Sequence, residues 1–211
     1  MEPSKDIVGV IVAGGRGRRL GGADKGLVEL AGQPLLARVI ARIGPQVSRL
    51  ILSANGDPQR FDIFGLPVIA DPIPDFSGPL AGLLAAMEWA KVHEPAAGWI
   101  VSTSVDTPFV PHDLVAKFRE AQEANQAELA CAWSNGRIHP VTGLWGLQLA
   151  GDLRRALIDE DLRKVEAWVG RHRMVTVDFP TDPIDPFFNI NRPEDLAKAE
   201  ALLASHSGTL V

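Results

Sequence analysis

IVGVIVAGGRGRRLGGADKG, residues 7–26, passes from an apolar run straight into a glycine cluster. Ile7, Val8, Val10, Ile11 and Val12 are β-branched and apolar without alternation, the pattern of a parallel strand buried on both faces. Gly14, Gly15, Gly17, Gly21 and Gly22 follow, interleaved with Arg16, Arg18, Arg19 and Lys25. Glycine lets backbone N–H groups close on an anion, because no Cβ stands in the way. A cationic, glycine-rich loop at a strand end suits a polyphosphate. The bland alternative is a surface turn with solvated arginines, but such a turn need not follow a buried strand. Neither common phosphate motif is present. Gly17 and Gly22 have P-loop spacing, yet Ala23 stands where the lysine belongs. The dinucleotide fingerprint fails because the glycine after Gly15 and Gly17 comes one residue late, at Gly21.

Outward from this stretch, strands alternate with helices. LLARVIARI, residues 35–43, has helical apolar spacing between Pro34 and the stop signal Gly44-Pro45. Short strands are expected at 50–52 and 67–70, ending in polar Ser53, Ala54 and Asn55 and in Asp71. Polar strand ends are where an open α/β sheet places its ligand crevice. Ser77-Gly78-Pro79 opens a helix over 80–91, a strand begins at Trp99 and runs toward Asp106, and a helix follows over 114–124. This repeat predicts a mainly parallel sheet with right-handed crossovers. Beyond residue 124 the character changes. ELACAW and HPVTGLWGL flank the turn signal Asn135-Gly136, a hairpin or bulged pair. Two short helices, a strand over 174–179 and a closing helix after Asn191-Arg192-Pro193-Glu194 complete the chain. The expected fold class is therefore α/β: a three-layer α/β/α arrangement, mainly parallel, with antiparallel pairing in the C-terminal half. Residues 1–211 are read as one domain with two functional lobes.

At 211 residues the chain is long enough for a substantial core. Its 46% hydrophobic and 22% charged content is that of a soluble globular protein. A formal net charge of −5 argues against general nucleic-acid binding, and positive charge gathers locally between Arg16 and Lys25. Cys131 is the sole cysteine, which excludes an internal disulfide or a thiolate zinc cluster, and its apolar neighbours mark a core thiol. No run is long enough to span a membrane and no secretion signal is visible, so a cytoplasmic location is expected.

Asp106, at the end of an apolar strand, is placed to hold Mg2+ against phosphates bound by the first loop, or else to cap the helix near Pro111. Asp71 could serve a base, a ribose or a metal, or be an ordinary loop carboxylate. Asp24 beside Lys25 reads as a local ion pair or loop-ordering contact. His93, His112, His172 and His206 have no metal-like spacing and read as solvated.

VAGGRGRRLGGADKG resembles the signature loop of the molybdenum cofactor guanylyltransferase (MobA) family of nucleotidyltransferases. Asn55, VIAD ending at Asp71, SGPLAG, SVDTPFVP around Asp106, His139-Pro140 and FNINRPEDL agree in order over nearly the whole chain. The resemblance implies a Rossmann-like fold, a Mg2+ requirement, and transfer of GMP from GTP to the molybdopterin cofactor with release of pyrophosphate. Nucleotide would lie in the N-terminal half and pterin toward the C-terminal half. By the same resemblance Val12, Ala13, Gly14 and Gly15 line the nucleotide and Lys25 meets its phosphates. Arg19 supports the triphosphate, and Asp71 and Asp106 sit at the nucleotide with Asp106 on the metal. Asn55 contacts base or ribose, as would Ser53, where the family often has Asn. His139 belongs to the pterin pocket or is a structural histidine. Asn189 and Asn191 hold the acceptor phosphate, complete the metal shell, or serve as turn and helix-capping residues. Trp145 has some claim to stacking on a pterin. Relatives using CTP with the same cofactor, or a sugar phosphate as acceptor, share these features, and a non-catalytic module that delivers the cofactor is a third reading. The Ala13-Gly14-Gly15 form resembles the guanylyl-transferring branch. A monomer is expected, in transient contact with cofactor-biosynthesis proteins or molybdoenzyme chaperones.

Overall fold

The computed structural model describes residues 4–13, 24–73 and 78–205. Gly14, Gly15, Arg19 and Ser77 therefore lie outside the described residues. Strand β1 (Ser4–Val12) forms from the opening apolar run, and Ile7, Val8, Val10 and Ile11 are each fully buried. It pairs in parallel with β4 (Val47–Ser53) on one side and with β6 (Trp99–Ser104) on the other. The main sheet has seven strands in the order β5-β4-β1-β6-β8-β7-β9. Its other members are β5 (Val68–Ile69), β7 (Leu129–Ser134), β8 (Arg137–Gly146) and β9 (Met174–Asp178). β8 runs antiparallel to both β6 and β7, whereas β9 is parallel to β7. The α/β architecture, with a mainly parallel N-terminal part and the main sheet's antiparallel pairing made by β8 of the C-terminal half, is as the alternation predicts.

Helices cover both faces because alternate residues of the strands are apolar on both sides. Ile7, Ile11, Leu52 and Val101 face α1 (Leu35–Ile43) and α3 (Leu114–Asn125). Val8, Val10, Ile51 and Ile100 face α2 (Pro79–His93), α4 (Ala150–Ile158) and α5 (Val165–Val169). From β1 the chain winds outward to β4 and β5, then returns over α2 to β6 on β1's other side. The order thus reverses beside β1, the position at which open α/β sheets bind ligands beyond their carboxyl ends.

Two local features differ from the sequence expectation, and a third, the β7–β8 pair, combines both of its alternatives. A two-stranded ribbon, β2 (Glu29–Leu30) with β3 (Gln33–Pro34), precedes α1. It is closed by Ala31 and Gly32, both at positive φ. Leu30 and Leu35 from this region meet Ile190 and Ala199, so the ribbon seats the closing helix α6 (Pro193–Ser205). β5 has only two residues, shorter than the apolar text at 67–70. β8 is bulged as well as turned. Asn135 and Gly136 both adopt positive φ, as a two-residue hairpin requires. The register with β7 then slips between His139 and Gly143. Pro140 lies in the slip, where its missing N–H breaks the ladder at no further cost. Among the described residues no helix is long and apolar enough to cross a membrane.

Candidate active site

The carboxyl ends of β5, β4, β1 and β6 are laced together past the strands proper. The Ala13 N–H donates to Ser53 O at 2.8 Å, the Ala54 N–H to Ile69 O at 2.9 Å, and the Val105 N–H to Val12 O at 3.1 Å. Val12 and Ala13 are thereby fixed at the crest of the sheet, with Ser53–Asn55 on one side and Val105–Asp106 on the other. Asp106 leaves β6 in a turn anchored by Thr107, whose hydroxyl donates to Ser104 O at 2.8 Å. The capping alternative for Asp106 falls away, because Asp113 is the residue next to α3.

Lys25 and Asp106 form an ion pair, Nζ to Oδ2 at 2.6 Å, with side chains 12% and 14% exposed. The same ammonium donates to Asn191 Oδ1 at 2.6 Å. Asn191 is held by α6: Asp195 Oδ2 accepts from the backbone N–H groups of Asn191 and Arg192, both at 3.0 Å. Pro193 opens the helix and Asp195 reaches back over its first turn in the manner of a capping box. Helix capping at this position is thus the work of Asp195, leaving the Asn191 side chain for Lys25. The Ile190 N–H meanwhile donates to the Asp106 carbonyl at 3.0 Å. Asn189 lies half-buried on the same loop. Asp106 Oδ1 is buried and has no hydrogen-bond partner among the described residues. A hard carboxylate oxygen in that state is a fit ligand for a divalent cation, whose other positions water and phosphate oxygens fill. No group of three or more metal-ligating side chains occurs among the described residues.

On the other side of β1, Asn55 and Asp71 clasp each other. The Asn55 amide donates to Asp71 Oδ2 at 2.6 Å and accepts from the Asp71 backbone N–H at 2.9 Å. Burial raises the Asp71 carboxyl above its ordinary value, and the Asn55 hydrogen bond pulls the other way. Ser53 is buried. It lies beneath the first turn of α2, where a Cβ on Gly82 would come within 2.5 Å of Ser53 Oγ and 3.7 Å of Asp71 Oδ1. Gly82 therefore sets how closely α2 approaches these strand ends.

His139 is buried, and its Nε2 lies 2.8 Å from Ser134 Oγ. That hydroxyl donates to Asp185 Oδ1 at 2.8 Å, so it accepts from the imidazole. Asp185 also takes the Phe187 N–H at 3.0 Å, and the Phe187 ring lies 4.7 Å from His139. Burial and then Arg137 push the His139 pKa below its ordinary 6.5, against Asp185 and a Ser134 backbone hydrogen bond. The unfolded chain then takes up a proton near pH 6.5 that the folded chain refuses until lower pH. Stability is expected to fall as pH drops through that window and to level off below the folded value. Denaturant melts at about pH 7.5 and about pH 5.5 test this, and His139→Gln should flatten the difference.

Other sequence readings are corrected. Trp145 is fully buried with its indole N–H on Ser102 Oγ at 2.7 Å, so it is a core residue. His172 is not solvated. Its side chain is 11% exposed, 3.2 Å from Asp152 Oδ2 and edge-on to Trp168. Asp24 does not pair with its neighbour Lys25 but with Arg60, which sequence reasoning passed over. Arg60, Ser134 and Asp185 carry no motif. Only the turn chemistry of Asp57-Pro58 could have hinted that the segment before β5 is ordered. Asp57 caps the 3-10 turn Pro58–Phe64 by accepting from Gln59 N at 3.0 Å.

With this geometry in hand, comparison with known proteins is specific. Residues 9–175 match the model of the MobA-like NTP transferase domain. A molybdenum cofactor guanylyltransferase of Nitrobacter hamburgensis is 48% identical over 200 residues, covering 95% of this chain and 96% of its own. One from Rhodopseudomonas palustris is 52% identical over 193 residues, covering 92% of each. The crystal structure of molybdopterin-guanine dinucleotide biosynthesis protein A from Archaeoglobus fulgidus superposes with a TM-score of 0.74 at 25% identity, covering 94% of this chain and 99% of that one.

Proposed function

The chain belongs to the molybdenum cofactor guanylyltransferases within the MobA-like NTP transferase family, and from that premise we propose that it moves GMP from GTP to the molybdopterin cofactor. A terminal phosphate oxygen of the cofactor attacks the α-phosphorus of GTP and forms the new P–O bond. The bond from that phosphorus to the bridging oxygen breaks, and pyrophosphate leaves with the electron pair. Molybdopterin guanine dinucleotide results. A phosphate monoester is largely ionised near neutral pH, so the step needs no strong general base. What it needs is alignment and charge neutralisation.

The observation that carries this reading is the junction of Lys25, Asp106 and Asn191. It joins a cation, a carboxylate with one buried oxygen that has no partner among the described residues, and an amide from three distant segments at the crest of the sheet. Asp106 would hold Mg2+, and the bound ion would neutralise charge on the triphosphate. The Lys25 ammonium has three donors, two of them used on Asp106 and Asn191 among the described residues, and the third would serve a phosphate oxygen. Asp71 supports the choice of base. A carboxylate steadied by an amide accepts two adjacent donors, and guanine's N1–H and N2–H2 edge offers them where cytosine does not. On this reading Val12, Ala13, Ser53 and Asn55 wall the nucleotide. Asn189 and Asn191 face the acceptor, and His139 shapes the acceptor side through Asp185 and Phe187. The protein acts as a cytoplasmic monomer that passes its product on through transient contacts.

The test is to incubate the protein with Mg2+, molybdopterin cofactor and each nucleoside triphosphate in turn, following pyrophosphate. GTP-dependent release supports the proposal. Release with CTP instead would reassign the nucleotide, release only with a sugar phosphate acceptor would reassign the acceptor, and none with any nucleotide would leave a delivery module.

A further inference from the structure

Arg60 stands between the two ends of the site just described. Its guanidinium pairs with the Asp24 carboxylate, the residue immediately before Lys25, with side chains 26% and 24% exposed. Its Nη2 donates to the Asn55 carbonyl at 2.6 Å, and its Nη1 to the Asp57 carbonyl. The same group lies 4.5 Å over the ring of Phe61. Phe61 is buried and anchors the 3-10 turn in the core. It also reaches the segment that follows Lys25: a Cβ on Gly26 would lie 3.6 Å from Phe61 Cε1 and 3.3 Å from Val105 Cγ2. The 24–26, 55–61 and 105–106 segments thus meet without slack. Exposed ion pairs contribute little to stability on their own. A planar fork whose two Nη atoms engage two carbonyls of the 55–57 segment, while its charge meets a carboxylate on the 24–26 segment, instead fixes geometry, and a lysine would not reproduce it.

Building on the nucleotide reading above, we propose that Arg60 is a positioning residue that couples occupation of the Asn55–Asp71 end to the Lys25–Asp106 end. A base seated on the Asn55–Asp71 clasp restrains the Asn55 backbone. Arg60 passes that restraint to Asp24 and so to Lys25, which meets the triphosphate already placed. Coupling of this kind is reciprocal, so phosphate at Lys25 strengthens base binding by the same factor.

Calorimetry separates the two ends. Guanosine probes the clasp without phosphates, and Mg2+-tripolyphosphate probes the Lys25–Asp106 end without a base. In the wild type, saturating guanosine is expected to tighten tripolyphosphate binding by about fivefold or more. In Arg60→Gln each probe alone should bind within about twofold of wild type while the mutual tightening disappears. Arg60→Lys, which keeps a charge for Asp24 but not the fork, should lose most of the coupling as well, and it decides the matter if the glutamine variant does not fold. Independent binding of the two probes in the wild type overturns the proposal and leaves the nucleotide site standing. Full coupling in a folded Arg60 variant overturns it too. If the wild type binds neither probe, the nucleotide reading falls and takes the proposal with it.

Discussion

Asp106→Ala is expected to lower the turnover number by on the order of 10³-fold, with the protein still folded. The effect follows from what the carboxylate does with its two oxygens. Oδ2 holds Lys25 at 2.6 Å, while Oδ1 is buried without a partner among the described residues. Substitution removes the buried side-chain oxygen suited to a divalent cation and frees the ammonium that it aligns. Stability should fall by about 1–3 kcal/mol, because the mostly buried Lys25 ammonium loses its counter-charge and keeps only the Asn191 acceptor. A Mg2+ titration of pyrophosphate release is the measurement. The wild type should saturate, and the variant should stay flat at all concentrations. Retained turnover with an ordinary Mg2+ response would remove Asp106 from the metal role.

Lys25→Met should reduce kcat/KM for GTP by about 10²–10³-fold, because on the proposed reading charge developing on the departing pyrophosphate loses the Lys25 ammonium. Its effect on stability mirrors that of Asp106→Ala. Methionine fills the space of the lysine stem but leaves the mostly buried Asp106 carboxylate without its counter-charge. A cost of about 1–3 kcal/mol is expected in the ligand-free protein. Adding Asp106→Ala should then recover part of that loss, since the uncompensated carboxylate is gone. The double variant being less stable than Lys25→Met alone would show that the pair is not the partnership the geometry describes. Denaturant melts of the two single variants and the double variant settle the point.

These residues divide by how far along the chain their causes lie. β1 was legible because Ile7 to Val12 has no alternation, and a run apolar on both faces has few other homes. The Asn135-Gly136 turn was legible because positive φ at both residues is a property of those residue types. Asp106 and Asp71 were legible as strand-end carboxylates. What they touch was not. Lys25 and Asn191 are 166 residues apart, and their meeting depends on α6 docking against β2, the start of α1 and the loop after β6. Arg60 sits in a short turn with no periodicity, and its value lies in two backbone carbonyls that any residue could supply. The slip in β8 turns on the coincidence of Pro140 with the point where β6 and β8 part company. His172 reads as an ordinary surface histidine until Trp168 and Asp152 close over it.

Cys131 lies in β7, hydrogen-bonded into a sheet between β8 and β9, and is fully buried. Burial pushes its thiol up to about 12, so almost none of it is thiolate at neutral pH. A thiol reagent therefore meets two barriers in the folded chain, access and ionisation, and both vanish together when β7 leaves the sheet. As the sole cysteine of the chain, it makes pulsed alkylation a count of open molecules, with no label engineered and no residue of the proposed site disturbed. Ligands can then be ranked by how far they slow the labelling, without any need for turnover.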